Sequence, residues 1–551
     1  MNGSPIYQMM CRGGVTPPHT TKKGYTMTRT IEKKKHAHAH APAPPAHPDD
    51  QHQTPYFDRL LDYVEQGTIP FHVPGHQQGR GTPEKFRTFV KNSGLAADIT
   101  QVLGLDDIHQ PLNVCKKAQE LAAVAYGADH TFFLINGSSS GNHAMILSVC
   151  NPGEKIIVPR NAHRSVTGAI ILSGAVPVYV EPEYDNQMQV DHNVTVESLE
   201  KALVENPDVV AVLLVSPTYY GATADLVSLV DLIHRHGKVA MVDEAWGPHL
   251  RFHDDLPISS MTAGADICVN STHKLIAGMS QASMLHVREG RVDVGRVHSV
   301  LRLFLSTSPS CLLVASLDIA RMQMATEGRE ILTRTITLAE NLRRQINGIP
   351  GMHCYGREII GRPGVHDFDT TRLVFTAREL GYSGYDIEQI LRYDFNIQLE
   401  LSDIFNVIAL ITIGHNEEMT QALADALNEI ATTRKYPANG VSKLDYYSKK
   451  NKKSRFELPD WPEMRMTPRD AFVAPQRTVP FRESTGLICG EIVTPYPPGI
   501  PILRPGDVIT QQIIDYIILE IEEGAHIQGP VDHTVNTIRV VEENGRRNGR
   551  E

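Results

Sequence analysis

No stretch of the chain reaches the roughly 18 consecutive apolar residues that a bilayer-spanning helix requires, so no membrane association is expected. No apolar segment follows the basic residues near the N-terminus, which argues against a secretory leader and makes the cytoplasm the expected compartment. Cysteine is scarce: the seven residues Cys11, Cys115, Cys150, Cys268, Cys311, Cys354 and Cys489 are scattered, odd in number and without CxxC spacing. That pattern excludes a disulfide framework and a zinc site, and no bound metal is expected. Positive charge is not in excess, since the formal net charge is -10, and a protein that grips nucleic acid needs a basic face. Internal repeats are missing too, which sets aside the solenoid folds.

What remains is the composition of an ordinary globular protein, 41% hydrophobic and 21% charged, and at 551 residues it exceeds what one core organises. Residues 1–52 are a low-complexity tail rich in His, Pro and Ala, with Lys33-Lys34-Lys35 ahead of His36, His38 and His40. Such a segment buries too little apolar surface to fold, and Met27 is an alternative start. Residues 53–114 form an N-terminal arm, with an amphipathic helix over Tyr56 to Ile69 and then Phe71-His72-Val73-Pro74-Gly75-His76. Over 115–340, helical stretches such as Cys115 to Tyr126 alternate with short apolar runs at Thr131 to Ile135, Lys155 to Val158, Val176 to Val180, Val209 to Val215 and Val239 to Val242. Alternation of this kind predicts a mostly parallel sheet covered on both faces. A long helix over Ser316 to Ile346 leads to a small α/β domain at 341–435, with strands at Arg372 to Phe375 and Val407 to Thr412. A polar linker at 436–465 carries Lys449-Lys450-Asn451-Lys452-Lys453, and a C-terminal domain at 466–551 contains a helix over Val508 to Glu523.

Three features of this body belong to one chemistry. Asp243 ends the apolar run Val239-Ala240-Met241-Val242, so a parallel strand delivers its carboxylate to the carboxyl-end crevice where ligands bind. About thirty residues later comes Ser271-Thr272-His273-Lys274, a lysine on a loop. Asn136-Gly137-Ser138-Ser139-Ser140-Gly141-Asn142 follows a strand and opens a helix, offering hydroxyls and backbone N–H groups to a phosphate. Pyridoxal phosphate (PLP) needs these three: an amine to hold it covalently, an acid to keep its pyridine nitrogen protonated, and a phosphate cradle. Each feature alone is common, as a surface lysine, a helix cap or a turn. Their joint occurrence in this order points to a PLP enzyme.

With those residues in place, the stretch from about Tyr56 to Val541 resembles the fold-type I Orn/Lys/Arg decarboxylases in their short form. The resemblance is carried by Phe71 to His76, Asn136 to Ser140, Pro159-Arg160-Asn161-Ala162-His163-Arg164-Ser165, Ser216-Pro217-Thr218-Tyr219-Tyr220-Gly221, Ser271 to His286, Glu400-Leu401-Ser402-Asp403, Met466 to Phe472 and Pro495 to Pro501. It is most similar to the arginine-specific short members. The implied fold is α/β, an aspartate aminotransferase-like large domain followed by smaller α+β domains. The resemblance further implies that Lys274 holds PLP, Asp243 pairs with the pyridine nitrogen, His163 stacks on the ring and Ala245 packs on its other face. Ser138, Ser139, Ser271 and His273 surround the phosphate, and His273 stands beside Lys274 as a proton donor. Family members work as homodimers or larger assemblies with shared active sites, and Ser306-Thr307-Ser308-Pro309 is the segment expected to reach the neighbouring subunit.

A basic substrate needs a carboxylate to read its side chain, and Glu491 is the first candidate, with Glu400 and Asp403 behind it. Trp246 marks a departure, because many short-form members carry His there and long-form lysine decarboxylases carry Trp. Arginine, lysine and ornithine all stay open as substrates. An aminotransferase or aldolase on the same fold, and a noncatalytic PLP-binding homologue, are the competing readings.

Overall fold

Seven strands build the central sheet in this computed structural model, which describes residues 63–102, 105–433, 459–496 and 499–542. The His-rich tail, the start of the arm helix at Tyr56, the linker lysines and Pro497-Pro498 lie outside the described residues. The strands are β1 (His130–Leu134), β2 (Lys155–Pro159), β3 (Val176–Val180), β4 (Val209–Val215), β5 (Val239–Asp243), β6 (Ile267–Asn270) and β7 (Ser283–Val287). Their spatial order is β1-β7-β6-β5-β4-β2-β3, and only β7 runs against its neighbours. The carboxyl ends of β1, β2, β4, β5 and β6 therefore share one edge, and every candidate motif of the large domain follows one of these strands.

The apolar runs that mark these strands are buried on both faces. Ile156, Val158, Leu213, Met241 and Val269 point into one core, while Ile157, Val212, Leu214, Val242 and Cys268 point into another. Side-chain alternation along a strand produces this split, and each fully buried Ile, Leu or Val contributes about 1.5–3 kcal/mol. Helices α1 (Val114–Tyr126), α2 (Gly137–Val149) and α3 (Arg164–Ser173) lie among the crossovers, and α4 (Cys311–Asn347) is the long helix the sequence predicts. A Cβ on Gly141 of α2 would lie 2.4 Å from Val269 Cγ2, so glycine is what lets α2 rest directly on β6. Here α2 carries the Ser-rich turn and β6 leads to Lys274.

Beyond α4, a four-stranded sheet orders His353–Tyr355, Arg372–Thr376, Val407–Leu410 and Leu401–Ser402, all antiparallel. The C-terminal region has its own core of Phe481, Val493, Ile513, Ile517 and Val540 around helix α5 (Gln511–Glu523). By contacts, Tyr63–Glu551 forms one compact unit.

The arm differs from the sequence expectation. Helical turns end before Gly67, and Ile69–Phe71 is a strand paired in parallel with Ile397–Leu399. Ile69, Pro70 and Phe71 form a short apolar run, too short to declare itself in the sequence but able to pair once a partner edge is present. Gly75 then comes so close to the lysine turn that a Cβ would meet the Leu275 carbonyl carbon at 2.4 Å. Its N–H donates to His273 O at 2.8 Å, and Thr412 Oγ1 donates to Gly75 O at 2.7 Å. The Phe71 to His76 motif is a brace for the Lys274 turn. Among the described residues no helix is long and apolar enough to cross a membrane.

Candidate active site

Asp243 is the last residue of β5 and is 5% exposed. Its Oδ2 accepts from Asn142 Nδ2 at 2.8 Å and its Oδ1 from the Ala245 N–H at 3.1 Å. Burial raises its pKa, and these two donors and the nearby Lys274 oppose the rise. Asn142 comes from α2, and its amide also donates to Ser165 Oγ at 3.0 Å. Ser165 in turn lies 2.7 Å from His163 Nδ1, which accepts the Ser165 backbone N–H at 3.2 Å and so caps α3. A continuous chain of hydrogen bonds thus runs Asp243, Asn142, Ser165, His163. Burial, followed by the charge of Lys274, pushes His163 down to about 3, so the ring is neutral. Gly499 lies against that ring: a Cβ there would be 3.2 Å from both His163 Cδ2 and Nε2. Gly499 thus borders the site, and Arg164 N donates to Gly499 O at 3.0 Å.

Lys274 lies in a short helical turn, Thr272–Leu275, directly after β6. Its Nζ is 3.7 Å from the centroid of the Trp246 ring. Burial lowers its pKa to about 8, partly offset by the carboxylates of Asp243 and Glu400. Behind Trp246, the guanidinium of Arg372 is 4.2 Å from the same ring and donates to Trp246 O at 3.1 Å. Arg372 is wholly buried and paired with Asp369 at 3.4 Å, which holds it against the tryptophan. Ser271 Oγ donates to Ser138 Oγ at 2.6 Å, joining the lysine turn to the start of α2.

Together Ser138, Asn142, His163, Asp243, Ala245, Trp246 and Lys274 line one cavity. The donor set fits PLP. An amine and a buried carboxylate face one space, serine hydroxyls stand at the start of a 13-residue helix, and Asn142 Oδ1 is left without a partner. Ser139 is in the first turn of α2, partly buried, and does not line this cavity.

Other residues singled out in the sequence lie elsewhere. His273 is next to Lys274, but its Nδ1 is 3.0 Å from Ala282 O, burial pushes it down to about 4, and it does not line the cavity. Glu491, the first candidate for reading the substrate side chain, is 7% exposed inside the C-terminal region. Its two oxygens accept the Val531 and Arg539 backbone N–H groups at 2.7 and 2.8 Å, and it lines neither this cavity nor the larger space beside it. A carboxylate already held by two backbone donors is committed to local structure. Glu400 accepts the Val73 N–H at 2.8 Å, and its charge reaches Lys274 and Arg372. Asp403 accepts from Tyr220 Oη at 2.8 Å and lines the larger space. Thr307 is exposed at the end of a helix and lines neither space.

Asn142, Ser165, Tyr219, Arg372 and Gly499 are the residues that sequence reasoning missed as parts of the site. Asn142 and Ser165 lie within quoted motifs, yet their bonds across α2, α3 and β5 are tertiary. Arg372 opens a strand of a different sheet, and no local pattern marks it.

Comparison with known proteins agrees with this geometry. Residues 54–419 match the family model "Orn/Lys/Arg decarboxylase, major domain", and residues 449–548 match "Orn/Lys/Arg decarboxylase, C-terminal domain". The chain is 43% identical to the arginine decarboxylase of Bacillus subtilis, over 90% of this chain and 99% of that protein. It is 25% identical to the lysine decarboxylase LdcA of Pseudomonas aeruginosa, over 84% of this chain and 75% of that one. Among solved structures, the Escherichia coli constitutive lysine decarboxylase superposes with a TM-score of 0.70 at 19% identity, covering 89% of this chain and 82% of that one. That likeness speaks for the fold. On the family match and on this identity along nearly its whole described length, the chain belongs to the Orn/Lys/Arg decarboxylase family.

Proposed function

We propose that the protein removes the α-carboxylate of a basic L-amino acid with PLP, acting first on arginine to give agmatine and CO2 for polyamine synthesis. The observation that carries this reading is the placement of Asp243 and Lys274 on one enclosed cavity with His163 between them and the C-terminal loop. When bound, PLP supplies the electron sink that makes cleavage of the bond to the carboxylate possible. Lys274 Nζ is the amine that holds the cofactor, and its depressed pKa keeps a usable fraction in the neutral, nucleophilic form near pH 8. The Asp243 carboxylate, oriented by Asn142 and Ala245, would keep the ring nitrogen of bound PLP protonated. Neutral His163 offers a flat face, and Trp246 with Gly499 keeps water out of the space. Lys274 would also serve as the amine that returns a proton to the α-carbon.

Arginine leads because the Bacillus subtilis relative bears that name. Lysine is the second reading: Trp246 stands at the position where the long-form lysine decarboxylases carry tryptophan, and an LdcA-type relative aligns over most of the chain. Of the charges that can read a basic side chain, Glu400 is the carboxylate closest in effect to Lys274 after Asp243. The chain is expected to work in the cytoplasm as a homodimer or an assembly of dimers.

The direct test incubates PLP-loaded protein separately with arginine, lysine and ornithine and identifies the amines by mass spectrometry while CO2 is followed. Agmatine as the main product supports the first reading. Cadaverine or putrescine moves the substrate and keeps the chemistry, whereas pyruvate-dependent amine transfer without CO2 overturns it.

A further inference from the structure

Next to the Lys274 cavity lies a larger chamber of about 540 Å³, walled by the large domain, the four-stranded-sheet region and the C-terminal region. The two spaces share only Val215 and Tyr219. Five carboxylates face the chamber, those of Glu181, Asp191, Asp403, Asp460 and Glu520, and no Lys, Arg or His lines it among the described residues. Among the described residues no ion pair joins a Lys, Arg or His to these acids, although the charge of Glu181 is felt at Arg160. Tyr220 and Tyr385 donate to Asp403 and Glu520 at 2.8 and 3.0 Å, but no described residue donates to the Asp191 carboxylate. Burial and then the neighbouring Glu181 push Asp191 up to about 7, and burial pushes Glu520 up to about 7.

A second observation points to an occupant. Thr218, only 3% exposed, lines the chamber, and its hydroxyl has no hydrogen-bond partner. A buried hydroxyl without a partner and a carboxylate without a described donor, both lining this chamber, are polar groups that a ligand with donors would satisfy.

The chemistry of the walls defines the ligand. The acids are spread around the chamber, and among the described residues no three His, Cys, Asp or Glu side chains converge as a metal site. A point cation is therefore a poor match, and a cation whose charges are spaced along a chain is a good one. Tyr184, Tyr219 and Trp461 supply apolar and π surfaces suited to alkyl segments and ammonium groups.

We propose that this chamber binds a free aliphatic polyamine, a flexible chain with two or more ammonium groups, at a site separate from the cavity that holds Lys274. Tyr219 forms the wall between the two spaces and meets Trp246 edge-on, with ring centroids 5.6 Å apart. Trp246 in turn carries Lys274 Nζ on its face. Occupancy of the chamber is therefore felt at the reacting lysine, which makes the site a point of inhibition by the class of compound the enzyme's product belongs to. This coupling rests on the proposed function; the binding itself does not.

The experiment titrates spermidine into the PLP-loaded enzyme by calorimetry, with cofactor content read separately from its absorbance and substrate KM from CO2 release. One spermidine per chain is expected, with Asp191→Asn and Glu520→Gln each weakening it about tenfold while cofactor content and substrate KM stay unchanged. Glu520→Gln keeps an acceptor for Tyr385 and so stands as the second variant should Asp191→Asn misfold. Failure of spermidine to bind at millimolar concentration overturns the proposal, as does unchanged binding in both variants. A rise in substrate KM in step with lost spermidine binding also overturns it, because the chamber then receives the substrate's own side chain. A protein that binds spermidine but releases no CO2 keeps this site and discards the decarboxylase reading.

Discussion

Lys274 Nζ lies 3.7 Å from the centre of the Trp246 ring, and Arg372 presses on the same ring at 4.2 Å. Both cations thus rest against one tryptophan, and the charge of Arg372 is among the causes that lower the pKa of Lys274; the ring's 6% exposure shows how closely it is enclosed. Truncation of this ring should be costly in two ways. Trp246→Ala is expected to lower stability by about 3–5 kcal/mol through the cavity it leaves and to impair PLP retention, while Trp246→Phe keeps most of both. Thermal unfolding and cofactor content after gel filtration read the two effects.

The buried lysine also makes a pH prediction. With its folded pKa near 8 against an ordinary value of 10.5, the unfolded chain binds more protons than the folded one between those values. Stability of the cofactor-free protein therefore rises with pH across that window, and below pH about 8 the full penalty of the buried ammonium is present. Lys274→Met removes the titration. Denaturant midpoints of the two proteins, measured from pH 7 to pH 10, should lie furthest apart at pH 7 to 8 and draw together toward pH 10, as the wild type gains relative to the variant.

Asp243→Asn should preserve the fold and much of the cofactor binding while lowering kcat about 10²- to 10³-fold, in the range found when a preorganised electrostatic partner is removed. Asn142→Ala is expected to act in the same direction with a smaller loss, because it unlinks Asp243 from Ser165 and His163. A double variant no worse than Asp243→Asn alone would show that Asn142 works through the aspartate; fully additive losses would argue for separate roles.

Gly75→Ala should misplace the lysine turn. The added methyl meets the Leu275 backbone at 2.4 Å, and backbone cannot yield as a flexible side chain can. At least tenfold lower kcat is expected with the central sheet intact by circular dichroism. Unchanged activity would remove the brace from the account.

Glu491→Gln tests the relocation of that residue from the substrate to the C-terminal core. Loss of a charged acceptor for two backbone N–H groups should cost about 1–3 kcal/mol and leave substrate KM unchanged. A raised KM with an unchanged unfolding midpoint would put Glu491 back at the substrate.

Much of the fold was legible because the strands of the large domain are nearly continuous apolar runs. β3 and β4 match the expected ranges residue for residue, and α1 differs by one residue. Asp243, Lys274 and the Ser138 turn were legible for the same reason, each following a recognisable strand. Ile69–Phe71 was not, since a three-residue strand takes its conformation from an edge more than 300 residues away in the chain. Glu491 misled because an acid beside a Pro-rich loop shows nothing of its partners, here the amides of Val531 and Arg539. Arg372 and the chamber acids come together only through the packing of three regions.

The measurement that tests the central claim most directly is borohydride reduction of the PLP-loaded protein followed by peptide mass mapping. The account predicts one cofactor-bearing peptide per chain, modified at Lys274, and none in Lys274→Ala, which should also release no CO2 from arginine. Cofactor fixed at another lysine, or CO2 release retained by Lys274→Ala, would contradict it.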